Sequence, residues 1–185
     1  MTAPARGRGQ RWVLVTVVAV AVLVVDQATK WWALGALGGQ GRTIDLAWTL
    51  RLRLVFNRGA AFGLGSRFAP LIAVFAVVVV VALLHSVGTL HGRWARASLG
   101  LVLGGAVGNL VDRVLRDDGG FLGGEVVDFI DLQWWPVFNV ADMAVSAGVV
   151  LLVLTAWRDP GLSSPDEAAS GNGVASRGSG PVVRP

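Results

Sequence analysis

Along the chain, four apolar runs reach membrane-spanning length, for which about 20 residues suffice: Arg11 to Leu34, Phe68 to Val87, Trp94 to Leu115 and Val137 to Trp157. Between the first two the pattern changes. In "TIDLAWTLRLRLVFN", Leu50, Leu52, Leu54 and Phe56 alternate with Thr49, Arg51 and Arg53, a period of two that predicts strand with one apolar face. A small sheet lying at the membrane surface is expected there. "NRGAAFGLG" closes this stretch with turn-forming glycines and lacks the Lys and Ser/Thr of a phosphate-binding loop. "RDDGGFLGGEVVDFIDLQWWP" puts Asp128 in a second β-like run, and Trp134 and Trp135 mark an interface before the last apolar run. From Asp159 to Pro185 the chain is Gly/Ser/Pro-rich without an apolar face, so a disordered, dispensable tail is expected.

Composition narrows the class. With 54% hydrophobic and 15% charged residues over 185 positions and a mean hydropathy of +0.61, an ordinary soluble domain is excluded. The expected fold is an all-α integral membrane protein of four transmembrane helices with a small β element at about 43–57. Its membrane domain covers 11–157, between an N-terminal tail at 1–10 and the tail at 158–185. "ARGRGQR" before the first run could open a signal peptide, but "DQATKWW" continues that run and no small-residue cleavage site follows, so a retained helix is expected. There is no Cys, hence no disulfide or thiolate chemistry. Arginines supply the basic charge except for Lys30, and they are scattered among apolar segments, which excludes a nucleic-acid face. The 16 basic residues divide evenly between the two membrane sides. The cluster Arg6, Arg8 and Arg11 before the first helix therefore decides orientation: both termini cytoplasmic. Asp26, Asp112, Asp128 and Asp142 then gather at the outer face.

An acid in an apolar helix costs at least a few kcal/mol, which marks a candidate site. Asp142, in "FNVADMAVSAG", has a bland explanation too. With Asn139 as N-cap it falls at N3, where an acid favours the helix dipole. Asp26 and Lys30 are an i, i+4 pair that reads as structural support. Gly100, Gly104 and Gly108 form a small-residue stripe for close helix packing. On an adjacent face Gly105, Asn109, Asp112 and Arg113 line up toward the outer end. His85 and His91 belong to the opposite side, so neither a His-containing triad nor a His-based zinc site fits the acidic cluster. A Ser/Lys arrangement of Ser66 and Lys30 stays open, although Asp26 would keep Lys30 protonated. An aspartic pair sharing one proton is the other solution.

"DQATK", "NRGAAFG", "GNLVDR", "VVDFID" and "FNVADMAVSAG", in this order between Arg11 and about Trp157, resemble the lipoprotein signal peptidase (bacterial signal peptidase II) family. The resemblance implies a membrane aspartic endopeptidase that cuts prolipoproteins before a diacylglyceryl-modified cysteine. Its catalytic pair falls on Asp128 and Asp142. Its support or substrate-binding positions fall on Asp26, Lys30, Asn57, Gly59, Gly108, Asn109, Arg113 and Asn139. It also implies a surface β-cradle at Thr43 to Asn57, prolipoprotein and membrane lipid as partners, no metal or other cofactor, a monomer, and a bacterial inner-membrane location with the site outward. The alternative class is a four-span transport or ion-pathway subunit using intramembrane acids. The absence of an evident internal repeat and the gathering of acids at one face argue against it.

Overall fold

The computed structural model describes residues 6–39, 41–58, 92–116 and 124–158, with 74, 77–78, 80–82 and 84–85 between them. The second apolar run, Phe68 to Val87, is described only at scattered positions. Gly59, Ser66, His91 and the tail from Asp159 lie outside the described residues.

Three helices carry the described chain: α1 (Arg6–Leu37), α2 (Arg93–Leu115) and α3 (Val140–Arg158). None contains proline, and in hydrocarbon an unbroken helix bonds every backbone group within its own segment. All three are long and apolar enough to cross a membrane. α1 runs past its expected span at both ends, because hydropathy marks the hydrocarbon stretch while the helix itself continues into polar surroundings. α2 is the central helix: 56% of its apolar window is buried, against 11% for α1 and 17% for α3.

Small residues set the packing. Gly100 of α2 meets Val15 and Val18 of α1, Gly104 meets Ala19 and Val22, and Gly108 meets Asp26, so α1 and α2 run parallel. Gly105 meets Ala141 and Val145, and Gly148 of α3 meets Ser98 and Val102, so α3 runs back antiparallel to α2. A Cβ at Gly104 would lie 2.6 Å from the Ala19 carbonyl oxygen, a contact only a bare backbone tolerates. Gly104→Val should therefore cost about 1–3 kcal/mol, the usual penalty of overpacking, read as a lowered Tm in micelles. An unchanged Tm would contradict this close approach.

All eight tryptophans sit at the two ends of the bundle and are at least partly exposed. Trp12, Trp94 and Trp157 mark one end. Trp31, Trp32, Trp48, Trp134 and Trp135 mark the other, as expected of interface belts flanking a hydrocarbon slab.

At the second end lies a three-stranded antiparallel sheet, β1 (Thr43–Ala47), β2 (Leu50–Asn57) and β3 (Val126–Asp131), in that order. The alternating stretch expected from Thr43 to Asn57 is thus a hairpin, turning at Trp48, whose φ is 47°. Leu52 and Leu54 of β2 and Phe129 of β3 pack with Ala33 and Leu37 of α1. β2 pairs Leu52 with Ile130 but Val55 with Asp128, so two residues of β2 oppose one of β3. Strand side chains alternate between faces. Without this bulge Asn57 would point away from Asp128; with it the two share a face.

Candidate active site

The residues of α1 that turn inward recur at helical spacing: Val15, Asp26, Lys30, Ala33 and Leu37 are buried. Asp26 and Lys30 occupy that inner stripe, both at 0% exposure. Lys30 Nζ lies 2.9 Å from Asp26 Oδ2, 2.8 Å from Asp112 Oδ2 and 2.9 Å from Asn109 Oδ1. An ammonium has three protons, and here each has an acceptor. The acids are satisfied in turn. Asp26 Oδ1 accepts the Ala141 backbone N–H at 2.9 Å, and Asp112 accepts the Val127 N–H at 3.2 Å and Arg116 Nε at 3.1 Å. Gln27 donates to Asp26, Asp112 and the Gly108 carbonyl. One buried charge cluster therefore ties α1 and α2 to the starts of β3 and α3.

From Lys30 the hydrogen-bond polarity propagates outward. Because Lys30 can only donate, Asn109 must turn its oxygen to the ammonium, which leaves its amide nitrogen to donate to Asp142 Oδ1 at 2.8 Å. The same Asn109 oxygen accepts Asn139 Nδ2 at 3.1 Å, and Nδ2 also donates to Asp128 Oδ1 at 2.7 Å. Asn139 and Asp142 form a reciprocal capping box at the start of α3: the Asp142 N–H donates to Asn139 Oδ1 at 3.0 Å and the Asn139 N–H to Asp142 Oδ2 at 3.2 Å. Asn57, brought round by the bulge, donates to Asp128 Oδ2 at 3.0 Å. Backbone bonds of Phe129 and Ile130 with Phe138 staple β3 to the residue before this cap. Asp128 and Asp142 are thus held on two different elements through one asparagine.

Burial pushes the Asp128 carboxyl up; the Asn57 hydrogen bond opposes this, the Asp142 charge adds to it, and Asn139 and Lys30 oppose it again, for a net position of about 7. A carboxyl that exchanges its proton near neutrality is suited to general acid–base work. The pair can activate a water and protonate a polar oxygen brought beside it.

Of the positions singled out from the sequence, the fold brings together Asp26, Lys30, Asn57, Gly108, Asn109, Asp128, Asn139 and Asp142. Gly108 fits as a bare backbone, since a Cβ there would lie 2.6 Å from Asp26 Oδ2. Arg113 is buried in α2 beside the cluster and donates to the Gly124 carbonyl at 3.3 Å, bracing the entry to β3. Gly59 is outside the described residues. Gln27 carried no signal in the sequence, yet it belongs to the charge cluster; Asp112, expected at the outer face in line with Asn109 but given no site role, belongs to it too. His85 bonds the Val81 carbonyl in its own helical turn.

Asp131 makes a separate clamp. Its carboxylate accepts from Arg51 at 2.7 Å, from Arg53, and from the Gln133 N–H at 2.7 Å. Burial alone would raise its pKa, but the bonds from Arg53 and Arg51 outweigh this and hold it near 2. A carboxyl depressed in the fold stabilises it above the unfolded value of about 3.9 and loses that contribution as pH falls toward 2. Protection of the Thr43–Asn57 amides against hydrogen exchange, taken relative to the intrinsic rate at each pH, should accordingly fall between about pH 4 and pH 2, and Asp131→Asn should show the faster exchange already at neutral pH. Equal neutral-pH exchange in the two proteins would remove the clamp.

The sequence profile described as Signal peptidase (SPase) II matches residues 18–158. The chain belongs to the signal peptidase II family. Among its relatives, the lipoprotein signal peptidase of Rhodococcus jostii is 44% identical over 146 residues, covering 78% of this chain and 73% of that one. That of Bifidobacterium longum subsp. infantis is 47% identical over 146 residues, covering 77% and 78%. That of Mycobacterium tuberculosis H37Rv is 44% identical over 152 residues, covering 82% and 74%. Two bacterial membrane enzyme structures determined by the in meso method are similar in fold. Their TM-scores are 0.67 and 0.63 at 28% and 27% identity, covering 83% and 78% of this chain and 93% of each of theirs. Signal peptidase II proteins are bacterial membrane proteases, and three apolar helices with a small antiparallel sheet agree with that membership.

Proposed function

We propose that the chain is an aspartic endopeptidase that removes the signal peptide from diacylglyceryl-modified prolipoproteins, with Asp128 and Asp142 as the catalytic pair. The observation that carries this reading is Asn139, whose side-chain amide donates to Asp128 while its backbone N–H donates to the Asp142 carboxylate. Asp128, near pH 7 in its titration, holds the proton and gives it to the scissile carbonyl oxygen. Asp142, at the positive end of α3, takes a proton from the attacking water. Asp142 then gives that proton to the amine nitrogen as the C–N bond breaks, and the collapsing gem-diol returns a hydroxyl proton to Asp128, which regenerates the pair. Asp26, Lys30, Asp112, Asn109, Asn57 and Asn139 are positioning residues.

Four spans belong to the same reading. α1 and α2 run parallel, which supports a return crossing between them, and the run from Phe68 to Val87 is long enough in sequence to supply it. Arg6, Arg8, Arg11, Arg93, Arg96 and Arg158 lie toward the end remote from the acids, which supports cytoplasmic termini and an outward site in the inner membrane. The sheet is then the β-cradle over the site. The enzyme works as a monomer, and substrate arrives through the lipid phase.

The test is the pH profile of turnover in a fixed bilayer with a diacylglyceryl-modified prolipoprotein, where chemistry limits the rate. The competent pair carries one proton. Below pH 7 Asp128 keeps it; above pH 7 the proton leaves, and activity should fall toward ten-fold per pH unit. A second proton on the pair gives an acid limb. A rate that stays flat or rises from pH 7 to 9 would contradict the assignment.

A further inference from the structure

At the end of the bundle remote from Asp128 and Asp142, a cavity of about 390 Å³ opens between the start of α2 and the end of α3, lined by Gly92, Trp94, Ala95, Leu151, Leu154, Thr155 and Arg158. Its charge is unusual. The first turn of α2 holds no acid and two arginines, Arg93 and Arg96, although cations are unfavourable at a helix N-terminus. Arg158 of α3 adds a third guanidinium from across the cavity. Among the described residues none of the three has a carboxylate partner; Asp159, next in the chain, lies outside them. Arg158 is the arginine that lines the cavity, and the other two are tied to lining residues: Arg93 stacks on Trp94 with its guanidinium carbon 5.2 Å from the ring centre, and Arg96 donates to the Gly92 carbonyl at 2.9 Å. One lining cation with two more on its neighbours calls for an anion.

The rest of the lining decides which anion. Below Arg158 the floor is Leu151 and Leu154, continuous with the exposed Val150 and Val153 on the outside of α3. Trp94 and Trp157, both exposed, place this level at a membrane interface. A soluble phosphate would leave that apolar floor in contact with water. A lipid phosphate among the arginines lets its acyl chain run down the floor into the bilayer. We propose that this cavity is a binding site for one anionic phospholipid, its phosphate held by Arg158 and Arg93 and its acyl chain by Leu151 and Leu154. Basic pockets between spanning helices take anionic headgroups on the same physical grounds.

The full chain in neutral detergent, titrated with dioleoyl phosphatidylglycerol or dioleoyl phosphatidylcholine and read by native mass spectrometry, tests this. One phosphatidylglycerol should be retained in preference to phosphatidylcholine. Arg158→Gln and Arg93→Gln should each weaken that binding about five-fold, as expected for one basic residue facing an anionic lipid. Leu154→Trp, which fills the floor without changing charge, should weaken it as well. Arg42→Gln, an exposed arginine near the opposite end, should leave it unchanged, and millimolar inorganic phosphate should not displace the lipid. Thermal unfolding of each variant identifies any that is misfolded, and the remaining ones decide. No phosphatidylglycerol preference, equal losses in Arg42→Gln and Arg158→Gln, or displacement by inorganic phosphate would overturn the proposal.

Discussion

Asp128→Asn or Asp142→Asn is expected to stop prolipoprotein cleavage while leaving a folded, membrane-inserted protein. Each carboxylate accepts two hydrogen bonds, Asp128 from Asn139 and Asn57 and Asp142 from Asn109 and the Asn139 backbone. An amide can keep one of the two, so the structural loss is on the order of 1 kcal/mol. The chemical loss is far larger, because an amide neither takes the proton of water nor gives one to the carbonyl oxygen. General acid–base groups contribute about 10²–10⁴-fold each. Groups that act as a unit lose nearly everything with either member, so the double variant should be little worse than the single ones. Substantial turnover by either single variant, measured as the mass of released signal peptide, would take that residue out of the pair. Ser66→Ala should keep its activity; complete loss there would restore the Ser/Lys reading.

Lys30→Met should be the most damaging change outside the pair. It strands the carboxylate of Asp26, which is 0% exposed, and leaves Asp112, 1% exposed, with Arg116 as its one remaining cation. Leaving a buried charge uncompensated costs about 3–5 kcal/mol. Activity should fall too, because Asn109 loses the contact that fixes its orientation toward Asp142. Lys30→Arg should not rescue, since a planar fork cannot reproduce three acceptors converging on one nitrogen. Adding Asp26→Asn to Lys30→Met should recover part of the stability by removing one stranded charge. A Lys30→Met protein with wild-type unfolding in micelles would show that the ammonium does not hold the cluster.

Much of this was legible in the sequence, and the exceptions have physical causes. The capping box at Asn139 and Asp142 is local, so three-residue spacing was enough to foresee it. The α2 glycines gave the close helix contacts for the same reason. The inner face of α1 was not readable from hydropathy, because the helix is apolar nearly all round; Asp26 and Lys30 marked it. Asp112 reads as one more acid at the outer face, and its part in the cluster shows only when the fold brings Lys30 and the Val127 N–H to it. The hairpin turn had no conventional signal, since it is a tryptophan with positive φ. The β2 bulge that turns Asn57 toward Asp128 depends on pairing with a strand about 70 residues away in sequence, beyond any local pattern. The two catalytic assignments themselves came from the resemblance to signal peptidase II, with burial and hydrogen bonding now supplying a physical reason for them.

The most direct measurement follows the mass of a diacylglyceryl-modified prolipoprotein incubated with the full-length protein in excess chelator and a serine-directed acylating reagent. The account predicts loss of the signal peptide at an undiminished rate, and competition by a peptide carrying a hydroxyl in place of the scissile carbonyl. Cleavage abolished by chelation and restored by added zinc would contradict it, and Asp128 and Asp142 would have to be read as metal ligands.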